Sequence, residues 1–305
     1  MATVKTATKS KITRGKNLFY ACIVALPILQ FLIFYLGVNV NSFVLAFQTW
    51  DGEAGKYVFN NWGDFFINFK TVINDLFVTN LLLKNAFKNT IILFLVGTFI
   101  GTTLALIFSY YIYKKQFGYR IFKVILFLPN VVSSVTLAIM LLYFATDASK
   151  ALIGIELLTD PKTKFPTLVA MSVMLGFGVQ VLIYSGAMSG ISDSVAEAAV
   201  LDGISPFKEL LLIDVPMIFP TISVFIVSSI AGAFMNQMNI FNMYGDGATD
   251  SRIFTIGYYL YIRALSAVNV DYPYFSAFGL VLTMITIPIA FVAKFMLDKY
   301  GPSVE

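Results

Sequence analysis

The chain has 305 residues, of which 58% are hydrophobic and only 12% are charged, with a net charge of +4. Soluble domains carry about twice that share of charged residues, so the composition predicts an all-α polytopic membrane protein and gives no support for nucleic-acid binding. The single cysteine, Cys22, excludes an intrachain disulfide, and the absence of histidine argues against a metal centre and against histidine-based catalysis. We therefore predict no catalytic and no metal-binding residues.

The N-terminal half of the chain divides by polarity. Residues 1–17 are polar and basic, and they predict a cytoplasmic arm, because Lys and Arg accumulate on that side of the membrane. Residues 18–40 are long and apolar enough to form the first transmembrane helix. Residues 41–85 are mixed in polarity, and they predict an extracytoplasmic segment with a short interfacial helix near 63–79. The remaining residues, 86–299, predict a core of five further helices.

The second predicted span covers residues 86–113, and small residues recur on one of its faces. They stand four residues apart, at Gly97, Gly101, Ala105 and Ser109. Such a stripe lets another helix approach closely. We favour packing within the chain, with a contact between subunits as the alternative. A short basic loop follows and predicts a cytoplasmic position; its charged residues are Lys114, Lys115, Arg120 and Lys123. The third span is predicted at 121–145.

Three further spans are predicted at 165–190, 217–236 and 274–297. Six spans place both termini and the polar segment between spans four and five on the cytoplasmic side. The positive-inside rule does not support this position for the polar segment, because its Lys208 is outnumbered by acidic residues. These are Asp193, Glu197, Asp202, Glu209 and Asp214. The even number of spans therefore decides the placement, and an acidic cytoplasmic loop suits a basic protein partner.

The polar segment, residues 191–216, predicts a helical hairpin. In its first half, Ser194 and Glu197 have the S-x-x-E spacing of a capping box, in which each side chain satisfies a free amide at a helix start. A short helix is expected after this box. Gly203 then supplies the left-handed backbone conformation that ends such a helix.

The second half of the hairpin repeats the signal. Ser205 precedes Pro206, which is the order of a helix cap followed by proline at the first helical position. We expect this helix to end near Asp214, because Pro216 has no N–H to continue the hydrogen-bond ladder. The two helices together predict a bent, partly apolar hairpin between spans four and five.

The same segment resembles the EAA signature of bacterial ABC importer permeases. The matching residues stand at fixed spacing and are Glu197, Ala198, Ala199, Asp202, Gly203, Ile213 and Pro216. Val215, where leucine is usual, is a mild departure. Asp202 and Pro220 are typical of the sugar-importer branch. The chain is thus similar to a maltose-type sugar permease with six transmembrane helices and a cytoplasmic coupling-helix hairpin.

The resemblance implies a set of partners in a bacterial cytoplasmic membrane. They are a second permease subunit that is homologous but different, two ATPase subunits and an extracytoplasmic binding protein. ATP and magnesium would bind the ATPase subunits. We expect no cofactor to bind this chain, which lacks the G-x-x-x-x-G-K-[ST] phosphate loop. In this family the hairpin sits in a cleft of the ATPase. The resemblance assigns a salt bridge to Glu197 and close packing to Ala198 and Ala199.

Uncharged polar and small residues in spans four and five are candidates for the substrate path. They recur at three- or four-residue steps with one aromatic side chain among them, and they are Ser172, Gly176, Phe177, Gln180, Ser229, Ala233 and Asn236. Uncharged hydrogen-bonding groups suit a neutral sugar, and Phe177 or the nearby Tyr184 would stack on its C–H faces. The resemblance places the substrate cavity at these spans. The alternative is that these residues only bond neighbouring helices.

Two other functions remain open. One is an ABC permease for another polar solute, such as an amino acid or a phosphorylated polyol; a phosphate group would favour Arg or Lys in the cavity. The other is an ion-coupled secondary transporter, which usually places acidic residues within the membrane. The predicted spans contain no pair of carboxylates. A membrane-embedded enzyme would need a reactive cluster that the sequence lacks.

Overall fold

The structure, a computed structural model, describes residue 16 and residues 19–248 and 250–302. The predicted basic arm therefore lies outside the described residues, except for Lys16. Six of the described helices are long and apolar enough to cross a membrane, and the shortest of them has 20 residues. At a rise of about 1.5 Å per residue this length matches the roughly 30 Å of a bilayer's hydrocarbon core. The predicted all-α architecture with six spans is confirmed.

The helices are numbered in chain order. They are α1 (Phe19–Leu45), α2 (Ile67–Asn74), α3 (Leu81–Tyr113), α4 (Tyr119–Phe127), α5 (Ser134–Ile153), α6 (Lys164–Met188), α7 (Asp193–Leu201), α8 (206–217), α9 (Phe219–Tyr244), α10 (Ile256–Ser266) and α11 (Tyr272–Tyr300). The six spans are α1, α3, α5, α6, α9 and α11. Helix α9 is regular only over Phe219–Gly232, after which it tightens into a turn and resumes at Ile240–Tyr244.

The chain forms two compact units. One contains the described residues up to Val72 together with Ala267–Leu280, and the other contains Ile73–Ser266 and the described residues from Val281 onward. The predicted extracytoplasmic segment, 41–85, is thus divided between them. The second unit holds α3 to α10, and with them every residue expected in the substrate path and the hairpin.

The first unit contains a β-hairpin that the sequence analysis does not predict. Strands β1 (Gln48–Asp51) and β2 (Lys56–Phe59) pair antiparallel. The Asp51 carboxylate accepts hydrogen bonds from the next two free amides of the turn, each 3.0 Å long. Gly55 closes the turn at a φ of +62°, which a residue without Cβ adopts without strain. The strands are only four residues long, too short for an alternating pattern to stand out.

In the second unit, α3 packs against α6 along the small-residue stripe. Ala105 and Ser109 are fully buried, and the Ser109 hydroxyl donates a 3.0 Å hydrogen bond to the Val181 carbonyl of α6. A Cβ added at Gly101 would touch Val173 at 3.7 Å. Small side chains therefore bring the two helices close enough for a hydroxyl to reach the opposite backbone, as expected for packing within the chain.

The predicted third span, 121–145, is divided into two helices in the structure. Helix α4 ends at Phe127, a single tight turn follows at Leu128–Asn130, and α5 begins at Ser134. Pro129 has no N–H to continue the ladder of α4. Helix α5 then runs eight residues beyond the predicted end of the span, through a wide turn at Phe144–Ala148.

Gly178 of α6 provides a test of how closely α4 approaches. A Cβ at this position would overlap the Leu126 carbonyl and stand 2.7 Å from Nδ2 of Asn130. We expect Gly178→Ala to lower the free energy of unfolding by about 1–3 kcal/mol, the usual cost of overpacking. The measurement is thermal unfolding of the purified chain in detergent.

Gly186→Ala is the matched control, because Gly186 lies in the same helix and has no atom within 4 Å of its Cβ position. It should keep or raise stability, since alanine stabilises a helix by about 0.5–1 kcal/mol relative to glycine. Equal melting temperatures for the two variants would show that α4 does not pack tightly at Gly178.

Candidate functional site

A cavity of about 230 Å³ lies between α3, α6 and α9 in the second unit. Its wall is made of short apolar, glycine and uncharged polar residues. They are Leu93, Phe94, Gly97, Thr98, Gly101, Thr102, Ser172, Val173, Gly176, Phe177, Gln180, Ser229, Gly232, Ala233 and Asn236. None of these described residues carries a charge. The cavity therefore offers hydroxyl and amide groups, with an aromatic ring, to whatever occupies it.

All seven residues proposed for the substrate path line this one cavity. Helical spacing brings Ser172, Gly176 and Gln180 to one face of α6, because residues four apart are neighbours on a helix. Within the described part of the chain, Ser172 and Gln180 make no side-chain hydrogen bond. Their polar groups are therefore free for a ligand. Tyr184 does not line the cavity, since it is fully buried against Phe225 with ring centroids 5.3 Å apart.

Helix α3 forms the third wall of the cavity, and none of the candidates predicted from the sequence lies on it. Thr98 and Thr102 contribute hydroxyls, and the Thr98 hydroxyl lies 3.2 Å from that of Ser229 on α9. The stripe of small residues on α3 carries the signal for this wall. Gly97 and Gly101 line the cavity as well as allowing α6 to approach, so the same face serves both packing and the cavity.

A hydrogen-bonded strap, residues 252–257, lies beside the Asn236 end of the cavity. The Asn89 amide donates to the carbonyls of Arg252 and Phe254, at 2.8 and 2.9 Å. The Thr255 hydroxyl donates to the Asn236 carbonyl at 2.8 Å. Gly257 packs directly on this turn, with a Cβ position only 2.8 Å from the Asn236 oxygen. The strap thus holds the cavity-lining end of α9 to the start of α3.

The hairpin between α6 and α9 consists of α7 and α8. Gly203 joins them with a φ of +64°, as its role at the end of the first helix predicts. Ser205 precedes the second helix with extended backbone, and Pro206 occupies its first turn. The predicted capping box is not formed. Helix α7 begins at Asp193 and its cap position is Ser192, without a side-chain cap hydrogen bond; the Ser192 and Ser194 hydroxyls instead lie 3.1 Å apart.

Helix α8 continues to Met217, past the predicted end at Asp214. The cause is a wide turn at Leu210–Asp214, in which the Val215 amide bonds to the Leu210 carbonyl five residues back. The ladder is already displaced where Pro216 enters, so the missing proline N–H does not end the helix at once. The break comes at Ile218, whose φ and ψ are −97° and 7°.

The residues of the EAA resemblance occupy different surroundings. Glu197, Ala198, Asp202 and Gly203 are exposed on α7 and its turn, whereas Ala199 is buried and Ile213 and Pro216 are half-buried on α8. Val200 and Leu201 add exposed apolar surface, at 73% and 87% of their full exposure. Helix α7 therefore presents an outward face with carboxylate, small and apolar groups side by side, while α8 packs only one face inward and leaves Phe207 and Leu212 exposed.

An acidic cluster anchors the base of the hairpin, and sequence reasoning does not single it out. Glu209 is only 7% exposed, and its Oε1 lies 2.5 Å from Nζ of Lys114 at the end of α3. The Tyr110 hydroxyl donates to Oε2 at 2.7 Å. Asp214 is 1% exposed beside this group. The sequence signal for this cluster is the presence of two acids in the apolar run of α8, but Glu209 and its partner Lys114 are 95 residues apart.

The pKa of Asp214 is raised to about 6, first by burial and then by the negative charge of Glu209, while Lys114 opposes both effects. In an unfolded chain the aspartate pKa is about 3.9. Between these values the folded chain keeps a proton that the unfolded chain has lost. The contribution of Asp214 to stability therefore falls as the pH rises through this window.

We expect Asp214→Asn to raise the melting temperature at about pH 7.5, where it removes a buried charge, and to change it little at about pH 4. The gain is on the order of 1–3 kcal/mol, since each pKa unit corresponds to about 1.4 kcal/mol. Ser194→Ala, at an exposed position of the same hairpin, removes no ionisable group; it is the control and should act equally at both pH values. Parallel pH profiles for wild type and Asp214→Asn would contradict the assignment.

Comparison with known proteins places these features in a family context. Residues 97–305, more than half of the chain, match the family model described as "Binding-protein-dependent transport system inner membrane component". The galactooligosaccharides transport system permease protein GanP of Bacillus subtilis (strain 168) is 27% identical over 75% of this chain and 57% of its own length. This chain thus spans little more than half of that relative.

Two further relatives match over more of their length. The lactose transport system permease protein LacF of Rhizobium radiobacter is 25% identical over 68% of this chain and 72% of its own. The glucose import system permease protein GlcT of Saccharolobus solfataricus is 27% identical over 80% of this chain and 83% of its own length.

Solved structures with the same fold belong to transporters of a polysaccharide. A chain of a bacterial ABC transporter involved in the import of the acidic polysaccharide alginate superimposes with a TM-score of 0.74 at 21% identity, covering 95% of this chain and 98% of that one. A chain of a bacterial alginate ABC transporter in complex with an alginate pentasaccharide-bound periplasmic protein superimposes with a TM-score of 0.72 at 19% identity. The match covers 94% of this chain and 96% of that one. At these identities the likeness establishes the fold.

Proposed function

Because the chain belongs to the family of binding-protein-dependent transport system inner membrane components, we propose that it forms one half of the membrane path of an ATP-driven importer for a neutral sugar or oligosaccharide. The chain is a multi-pass membrane protein and a transport subunit, not an enzyme. The observation that carries the substrate class is the uncharged cavity between α3, α6 and α9.

The lining of the cavity favours a neutral polyol over a charged solute. Its hydroxyl and amide groups can hydrogen-bond sugar hydroxyls without the desolvation cost of a charge. Phe94 and Phe177, the latter only 7% exposed and packed on Phe108, add apolar wall for C–H faces. An acidic sugar, such as the alginate of the structural relatives, would favour Arg or Lys, and none of the described lining residues is basic. The names of GanP, LacF and GlcT refer to neutral sugars.

The same lining weakens the alternatives. A phosphorylated polyol would need a basic group in the cavity, and an ion-coupled transporter usually needs an acidic one. The described cavity contains neither. A permease for another uncharged polar solute remains the nearest competitor, and a transport assay with several solutes separates it from the sugar permease.

The exposed face of α7 supports docking of an ATPase subunit. Glu197 is exposed and forms no salt bridge within the described residues, so it is available to a basic side chain of a partner. Val200 and Leu201 provide apolar area beside it. Two such ATPases would bind ATP and magnesium, a second and different permease subunit would complete the path, and a binding protein would deliver the sugar from the opposite side.

The orientation follows from this assembly. The hairpin and the basic loop after α3 lie at the same end of the second unit, because Lys114 contacts Glu209. A cytoplasmic ATPase therefore fits the positive-inside placement of that loop. Both termini would then be cytoplasmic in a bacterial inner membrane, and the cavity would open to the binding protein beyond the strap, residues 252–257.

Co-purification with the ATPase from the same operon tests the hairpin. We expect Glu197→Ala to weaken retention of the ATPase by about 10–100-fold, because a hydrogen-bonded charge contributes roughly 1.5–3 kcal/mol. Glu53→Ala removes an exposed acid from the β-hairpin turn and is the matched control. Failure of the wild type to retain any ATPase, with uptake that persists without ATP, would replace this proposal by the secondary transporter.

Filling the cavity tests the substrate path. Gly176 lines the cavity and has open space at its Cβ position, so Gly176→Leu adds four carbon atoms where the sugar would pass. We expect uptake of the transported sugar into proteoliposomes to fall by at least about tenfold, since one misplaced methylene in a pocket changes rates by 10–200-fold. A panel of glucose, lactose and galactooligosaccharides, with the binding protein present, identifies the sugar.

Gly186→Leu is the control for this variant, because Gly186 lies on the same helix, outside the cavity lining, with open space around it. Both variants should retain the ATPase. Undiminished uptake in Gly176→Leu, at equal amounts of assembled complex, would place the path elsewhere.

A further inference from the structure

The base of the hairpin is tied to α3 by a shielded ion pair. Both oxygens of the Glu209 carboxylate are occupied from α3, by Lys114 at 2.5 Å and by the Tyr110 hydroxyl at 2.7 Å. The side chains of Lys114 and Glu209 are 21% and 10% exposed. Such a pair is weakly screened by salt and is costly to break, because separation leaves a buried charge without compensation. We call this contact the clamp.

Helix α3 leads from the clamp to the cavity. Lys114 follows directly after the last residue of α3, and Thr102, in the cavity wall, lies twelve residues earlier on the same helix. At about 1.5 Å per residue the two are roughly 18 Å apart along the axis. A displacement of the hairpin that pulls on Lys114 therefore moves the wall at Thr102, where the regular part of α3 begins; Thr98 lies in the wide turn Gly97–Gly101 before it.

The covalent route from the hairpin to the cavity is also irregular. Helix α8 reaches α9 through Ile218, whose backbone is not helical, and α8 itself contains the wide turn at Leu210–Asp214. Helices kink where the hydrogen-bond ladder is displaced in this way, although Ile218 keeps backbone hydrogen bonds to Asp214 and from Ile222. Leu210 and Ile218 also belong to one apolar cluster with Ile112 of α3, and the clamp adds a directional polar contact to this packing.

We propose that the Lys114–Glu209 ion pair, supported by Tyr110, is the positioning contact that makes α3 and the hairpin move as one body and so links the ATPase to the α3 wall of the cavity. The inference rests on the proposed import function for its role in transport, but the mechanical link it describes is a property of this chain alone. Lys114 is the only cation in the described residues within salt-bridge distance of Glu209. Asp214, buried beside it, adds a second acid, whose Oδ2 has no hydrogen-bond partner in the described residues.

The transport test compares uptake of sugar per ATP hydrolysed in proteoliposomes that contain the assembled complex. Glu209→Gln removes one charge of the clamp without changing the size of the side chain, and Lys114→Met removes the other while shortening the side chain by one atom. We expect each to lower the ratio of uptake to hydrolysis by about tenfold, within the 5–150-fold span of typical coupling between sites. The double variant that exchanges the two residues, Lys114→Glu with Glu209→Lys, should restore most of the ratio of uptake to hydrolysis.

Lys123→Met is the matched control, since Lys123 is exposed on α4 in the same basic region and makes no clamp contact. It should leave the ratio unchanged. A clamp that serves folding alone would lower the melting temperature and the yield of the single variants but not the ratio. An unchanged ratio in folded Lys114→Met, or an exchange that restores stability without restoring the ratio, would overturn the proposal.

A distance measurement decides the mechanical claim even if the transport function is wrong. Spin labels are placed on exposed Ile107 of α3 and exposed Leu201 of α7, after replacement of exposed Cys22 by serine, in the full chain in nanodiscs. Double electron–electron resonance should give a narrow distance distribution for the clamped chain, a broad one for Lys114→Met, and a narrow one for the exchange. Equal widths in all three would refute the clamp, whereas absence of ATPase binding would refute only the import function.

Discussion

The close contact between α3 and α6 is the constraint on which the rest of the second unit depends. Ala105 and Ser109 have no exposed surface, and the hydroxyl of Ser109 reaches the backbone of α6. Larger residues at these positions would separate the helices, because interiors are packed too densely to absorb them. The same stripe continues towards the N-terminus of α3 with Gly97 and Gly101, which have no side chain. There the contact between the helices widens into the cavity. Packing and cavity are thus two parts of one helix face.

Departures from regular helix are compensated where they occur. Inside a membrane an unpaired backbone group is costly, so broken helices persist only where other groups bond their amides and carbonyls. The irregular end of α9 shows this clearly, since the Asn236 carbonyl accepts from Thr255. The strap that follows is held by Asn89 and by Thr90, whose hydroxyl accepts the Ile256 amide at 2.9 Å. The polar residues of the spans therefore have two tasks, to repair broken backbone and to line a cavity.

The sequence predicts what depends on local spacing and misses what depends on distant partners. Six apolar runs are enough to predict the six transmembrane helices. A spacing of four residues is enough to predict that Ser172, Gly176 and Gln180 lie on one wall. The capping box at Ser194 and Glu197 is wrong, because a helix start depends on where the chain emerges from α6, and Ser192 comes first. The α3 wall with Thr98 and Thr102 is missed, since a small-residue stripe predicts packing without showing what lies across it. The pairing of Lys114 with Glu209 spans 95 residues, a separation at which no periodic pattern operates.

The acidic residues of the hairpin fall into two groups that differ in burial, which a count of charges does not show. Five acids stand in it by sequence, yet Asp193, Glu197 and Asp202 are exposed while Glu209 and Asp214 are buried. The exposed acids can attract a basic partner from outside, where such charges act mainly on association and orientation. The buried acids cannot reach a partner: Glu209 is paired from within by Lys114, whereas Oδ2 of Asp214 has no hydrogen-bond partner in the described residues. A change that weakens docking should therefore leave the clamp intact, and a change in the clamp should leave docking intact. Under the proposed import function, this independence would let the hairpin hold its outer contact with the ATPase and its inner contact with α3 at the same time.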